Sequence, residues 1–125
     1  MNPITWFEIP VQDFERAVKF YEALLQVSLR REDFGGMMNG IFPYEEMKDT
    51  GGAVTQVPYA KPGSDGPIVY LNAYSVTILD QALAQVEQLG GSVVMPKTDL
   101  GPIGYIALVT DTEGNRVGLH TVKPE

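Results

Sequence analysis

The chain repeats itself. A strand-like segment followed by an amphipathic helix runs from Ile4 to Leu24 and recurs from Ile68 to Leu89, displaced by 64 residues at Ile4 and Ile68 and by 65 within the helices. In the first helix Phe14, Ala17, Val18, Tyr21 and Leu24 share one face; in the second Leu79, Ala82, Leu83, Val86 and Leu89 do so. Both sets follow the i, i+3, i+4, i+7 spacing that buries one stripe of a helix. Each copy therefore has an apolar stripe to cover, and the seam between two such copies is the natural place for a site.

Around each helix the pattern is that of short strands. Thr5 to Val11 alternates, with Phe7, Ile9 and Val11 on one face and Trp6, Glu8 and Pro10 on the other, as a strand covered on one side does. Asp13 stands where a helix N-cap belongs, and the helix is expected to fade after Leu25. Leu29 to Asp33, Met37 to Phe42 and Ala53 to Val57 follow as strand candidates. PYAKPGSDGP, residues 58–67, is too rich in proline and glycine to join a ladder and reads as a linker. The second copy has strands at Ile68 to Ala73, Val93 to Lys97, Tyr105 to Thr110 and Arg116 to Val122. Its helix is expected to open on a capping box of Thr77 and Asp80 and to end at Gly90-Gly91. The turn DTEGN, residues 111–115, joins the last two strands, its short polar side chains expected to bond their own backbone. The expected architecture is one α+β domain over residues 1–125: a β-α-β-β-β module at about 1–57, the linker, and a second module at about 68–125.

A chain of 125 residues buries roughly two-thirds of its unfolded surface and needs no covalent staple. It has no cysteine, which excludes thiol chemistry and cysteine-held zinc and leans toward a reducing, cytoplasmic setting. The net charge of −7 is spread over both halves without a basic stripe, so nucleic acid is not an expected partner. The acidity fits a cationic ligand, and it equally fits solubility alone. MNPITWFEIP lacks a basic leader and its apolar run is broken by Glu8, so neither a signal peptide nor a membrane span is expected. Glycine pairs at 35–36, 51–52 and 90–91 lack the spacing of nucleotide loops, and no serine sits in an exposed elbow near the one histidine.

The paired modules, with DFERAVKFY at 13–21 and DTEGN at 111–115, resemble the vicinal oxygen chelate superfamily, which includes glyoxalase I, bleomycin-resistance proteins and extradiol dioxygenases. The resemblance covers nearly the whole chain and is strongest to bacterial predicted enzymes related to lactoylglutathione lyase. It implies two curved mixed sheets around a cleft with the helices outside, and a homodimer. It also implies a metal held by one residue near the start of each module's first strand and one on its last strand. Matched residue by residue, those positions fall on Trp6, Tyr70, Gly118 and either Ala53 or Val54, none of which is such a ligand, so no metal or other cofactor is expected. Glyoxalase I and dioxygenase chemistry, which rest on that metal, are accordingly not expected.

The expected cleft face carries Trp6 and Glu8, Tyr70 and Asn72, and Arg116, Gly118 and His120, with Tyr105 a weaker member. His120 is the natural general base because imidazole titrates near neutrality, unless it only hydrogen-bonds at its strand end. Glu8 either acts as a desolvated acid or base or pairs with Arg116. Trp6 and Tyr70 stack on a flat or cationic ligand or fill the space the metal would take. Met37 and Met38 read as core. Three functions stay open: binding of a small organic molecule with metal-independent lyase or isomerase chemistry at Glu8 and His120; sequestration of such a molecule without turnover, in the manner of bleomycin-resistance proteins; and a mainly structural or interaction role with the cleft filled.

Overall fold

The computed structural model describes residues 2–124. In chain order its elements are β1 (Trp6–Pro10), α1 (Phe14–Leu25), β2 (Arg30–Phe34), β3 (Met37–Ile41), β4 (Gly51–Gln56), β5 (Tyr70–Asn72), α2 (Val76–Gln85), β6 (Ser92–Asp99), a single 3-10 turn (Gly101–Ile103), β7 (Tyr105–Thr110) and β8 (Arg116–Thr121). They build two four-stranded sheets in the orders β1-β4-β3-β2 and β5-β8-β7-β6. In each, the first strand runs parallel to the last and the remaining neighbours are antiparallel. The repeat seen in the sequence is thus a repeat of topology, in two mixed sheets that do not close into a barrel.

Each sheet has a helix-covered face and an open one, as the alternation requires. Ile9, Val54, Leu71, Val117 and Leu119 point into a core shared by both modules, which also takes in Phe14, Ala17, Val18, Tyr21 and Leu24 of α1. From α2 and the turns that follow it, Leu79, Ala82 and Val86 are buried, while Leu83 and Leu89 pack at the margin of the core. The two helices lie against one another. Asp13 caps α1 by accepting from the Arg16 N–H at 3.1 Å.

The start of α2 differs from expectation. Ser75, not Thr77, is the N-cap and accepts from the Ile78 N–H at 3.1 Å, while Asp80 reaches Lys97 at 2.9 Å. The chain turns at Tyr74, so the first residue in cap geometry is the one that follows it. At the other end α2 stops at Gln85 rather than at Gly90-Gly91, and the chain continues through turns to Gly90, which adopts φ +101°, a conformation that favours glycine, while the Gly91 N–H bonds the Val86 carbonyl at 2.9 Å. The strand expected over Ile68 to Ala73 shortens to Tyr70–Asn72, and at its C-terminal end Asn72 bends the backbone by accepting from the Tyr74 N–H at 2.8 Å.

The DTEGN turn does more than fold on itself. Asp111 does bond its own turn, accepting from the N–H groups of Glu113 and Asn115. Glu113 and Asn115, expected to do likewise, instead reach the first module. Glu113 accepts from the Gln12 and Asp13 N–H groups at 2.8 and 2.7 Å and from Arg16 Nε at 2.7 Å. Asn115 donates to the Pro10 carbonyl at 2.7 Å and accepts from the Gly63 N–H at 2.9 Å. The turn therefore locks β8 of one module onto the β1–α1 corner of the other. Among the described residues no helix is long and apolar enough to cross a membrane.

Candidate functional site

The register places equivalent pairs on the open face of each sheet. Trp6 on β1 lies opposite Gly51 on β4, and Tyr70 on β5 lies opposite Gly118 on β8. In both pairs an aromatic ring rests on bare backbone: a Cβ at Gly118 would fall 2.3 Å from a Tyr70 ring carbon, and one at Gly51 would fall 2.7 Å from Tyr44 and 2.9 Å from Trp6. Tyr44 meets Trp6 edge-on, with ring centroids 6.0 Å apart. The position opposite Trp6 is therefore Gly51, and not Ala53 or Val54 as the sequence match suggested.

The candidate residues do not converge on one cavity. Glu8 accepts from the Tyr59 hydroxyl at 3.1 Å, which raises the pKa of that phenol. Glu8 shares a groove of about 270 Å³ with Arg116 and with Lys61 and Asp65 of the linker, yet among the described residues Glu8 and Arg116 form no ion pair. His120 stands opposite Asn72 and lines a separate groove of about 360 Å³ with Tyr70, Asn72 and Tyr74. Its Nε2 lies 2.8 Å from the Ile103 carbonyl, and a carbonyl only accepts, so Nε2 carries a proton and a base at this position would have to work through Nδ1.

Tyr105 is not on this face at all. It pairs with Thr121 and shares its side of β7 with the buried Ala107 and Val109, while Ile106 and Leu108 take the open side. Its ring sits under the ammonium groups of Lys97 and Lys123, 5.3 and 5.4 Å from the centroid. Both sides of β7 are apolar, which left the phase of its alternation undetermined by sequence.

A cavity of about 540 Å³ forms a groove between the edge strands β1 and β5. One wall comes from the first module, with Ile4, Phe7, Tyr44, Gly51 and Gly52; the other from the second, with Ile68, Val69, Tyr70, Asn72 and Tyr74. Leu25, Phe42 and Leu71 contribute further apolar surface. Among the described residues no Asp, Glu, Lys, Arg or His lines it. Gly52 brings Phe7 against the β4 backbone, where a Cβ would lie 2.2 Å from the ring. Tyr70 and Asn72 were expected at a ligand site; Ile4, Phe7, Tyr44 and Tyr74 were not. The one available signal was the Gly51-Gly52 pair inside a strand, which marks close approach of a neighbouring group. Tyr44 and Tyr74 lie in connections whose path the sequence does not disclose. Partial burial raises the pKa of the Tyr74 phenol.

Comparison with known proteins agrees with this architecture. The model of the Glyoxalase/Bleomycin resistance protein/Dioxygenase superfamily matches residues 3–119. CFP32 of Mycobacterium tuberculosis, whose name marks it as a proposed glyoxylase, is 30% identical over 116 residues, covering 91% of this chain. The chain spans only 43% of that relative's length. Among solved structures, TnmS3 from Streptomyces sp. CB03234, described as an antibiotic binding protein, superposes with TM-score 0.64 at 26% identity over 98% of both chains. A glyoxalase I variant from Zea mays gives TM-score 0.70 at 27% identity over 94% of this chain and 45% of its own.

The metal of metal-dependent relatives does not fit the residues present. The four corresponding positions hold an indole, a phenol and two glycines, and the Tyr70 ring occupies the space into which a side chain at position 118 would project. Hard or borderline divalent ions need several oxygen or imidazole donors converging on one point. Among the described residues no group of three His, Cys, Asp or Glu side chains is gathered to supply them.

Proposed function

The chain belongs to the Glyoxalase/Bleomycin resistance protein/Dioxygenase superfamily, and within it we propose a protein that holds a small organic molecule in the groove between β1 and β5 without chemically altering it. The observation that carries this reading is the composition of that groove: about 540 Å³, walled by both modules, mainly apolar, and lined by no carboxylate, imidazole or ammonium side chain among the described residues. A cavity of that size and lining suits a drug-sized ligand. The resemblance to TnmS3, an antibiotic binding protein, supports the same class of function. Glu8 and His120, the carboxylate and imidazole that proton-transfer chemistry would draw on, do not line this groove; His120 lines the one that adjoins it at Tyr70, Asn72 and Tyr74. The homodimer and the cytoplasmic setting belong to the proposal: Phe34 and Ile103 expose apolar surface outside the groove that a second copy can cover, and a chain without cysteine loses nothing in a reducing compartment.

Ile68→Trp tests the reading. Ile68 lines the groove and is 38% exposed, so an indole there can fill the cavity without entering the core. The expected result is that uncharged N-phenyl-1-naphthylamine binds the natural protein and is recovered unchanged by mass spectrometry, while Ile68→Trp weakens binding by about tenfold or more, a loss of about 1.4 kcal/mol. Unaltered affinity in a folded Ile68→Trp variant would place the ligand elsewhere, and a converted compound would restore the enzymatic reading.

A further inference from the structure

Tyr74 holds a backbone conformation that its side chain does not favour. Its φ is +71°, in the region where a bulky residue is a genuine outlier, and such strain collects at ligand clamps and active sites. Three contacts fix the geometry: Asn72 Oδ1 accepts from the Tyr74 N–H at 2.8 Å, the Ser75 N–H bonds the Ala73 carbonyl at 2.8 Å, and the Ala73 N–H bonds the His120 carbonyl at 2.8 Å. Core burial does not explain a tyrosine here, since 47% of it is exposed. What the strained turn accomplishes is to hold the ring on the rim of the β1–β5 groove, where that groove adjoins the one beside His120.

Across the cavity, Tyr44 and Phe7 lie close against the backbone of Gly51 and Gly52, so the facing wall is built from rings laid on glycine. We propose that Tyr74 is the clamp of this groove and that its ligand is an uncharged, planar aromatic molecule. The proposal rests on the binding function assigned above and adds the ligand class and a specificity-determining residue. Rings on both walls favour a flat partner by offset or edge-on stacking. The described residues of the lining carry no charged side chain and so offer no counter-ion to an anion or a cation, either of which would lose hydration on entry. The net charge of −7 disfavours an anion further.

The test titrates three planar probes into the full chain: neutral N-phenyl-1-naphthylamine, its anionic relative 8-anilinonaphthalene-1-sulfonate, and cationic 9-aminoacridine. The neutral probe is expected to bind at one site per chain, about tenfold or more tighter than either ion. Tyr74→Gly is expected to weaken the neutral probe by about tenfold with no fall in Tm, because glycine adopts a positive φ without steric cost. Tyr74→Asn, which also tolerates that region, provides a second variant and should behave the same way. Unchanged affinity in both variants would overturn the clamp while leaving the groove in place, and a marked fall in Tm in both would make the ring structural. Equal or tighter binding of an ion would overturn the ligand class. If no probe binds the natural protein, the binding function itself fails and the clamp falls with it.

Discussion

Asp111→Ala is expected to lower the stability of the fold by about 4 kcal/mol, because several buried donors lose one acceptor together and each orphaned donor costs about 1–3 kcal/mol. Asp111 is 3% exposed. Its Oδ2 accepts from the hydroxyl of the fully buried Tyr21 at 2.6 Å and from Asn115 Nδ2 at 3.0 Å, and its Oδ1 accepts from two backbone N–H groups of its own turn. Burial and the neighbouring carboxylate hold the Tyr21 phenol well above its ordinary pKa, so it remains a donor throughout the accessible pH range. Alanine supplies no substitute acceptor and leaves a void between α1 and the turn. Tyr21→Phe removes a single donor and leaves Asp111 with its other partners, so it is expected to cost about half as much. Urea unfolding at neutral pH measures both. A loss below about 1 kcal/mol for Asp111→Ala would show that the turn does not join the modules.

Glu113→Gln is the second large effect, and it depends on pH. Burial alone would raise the pKa of Glu113, but donation from Arg16 and from the Asp13 N–H, the Thr112 hydroxyl and the Gln12 N–H outweighs it and holds the carboxyl down at about 2. A folded pKa below the unfolded one gives stability that is complete above the ordinary carboxylate range and is lost as pH falls toward the folded value. The depression from 4.5 to about 2 corresponds to about 3 kcal/mol at neutral pH. Glutamine keeps one acceptor oxygen, so the loss is expected at about 2–3 kcal/mol at pH 7, closing between about pH 4 and pH 2. Paired unfolding curves at pH 7 and pH 3 check the sign: a gap that widens in acid would contradict the linkage.

The parts of the fold legible in the sequence were those set by local rules. The helical stripes of Phe14 to Leu24 and Leu79 to Val86 and the Asp13 cap follow from spacing and single-residue chemistry, and the structure agrees at each, whereas α2 stops at Gln85, short of the Gly90-Gly91 end the glycines suggest. Alternation along β1 and β8 correctly separated Phe7, Ile9 and Val117 from Trp6, Glu8 and His120. It failed on β7, where both faces are apolar and Tyr105 was assigned the wrong one. The capping residue of α2 was missed because Ser75 only becomes the cap once Tyr74 adopts a positive φ, a consequence of the Asn72 side chain. The site was less legible for a related reason. Glu8, Arg116 and His120 were grouped by their shared face, but grooves depend on how two sheets and a linker meet, and that packing separates Glu8 from His120. The reach of Glu113 and Asn115 into the first module was likewise invisible, since a turn motif carries no sign of which distant backbone groups lie within its range.

Backbone amide NMR shifts, recorded while N-phenyl-1-naphthylamine is titrated into the full chain, test the placement of the ligand most directly. The expected perturbations cluster at Ile4, Phe7, Tyr44, Gly51-Gly52 and residues 68–74, the two walls of the β1–β5 groove. Perturbations centred instead on Glu8 and Arg116, or on His120 and Ile106, would contradict the account and return the ligand to the open sheet faces.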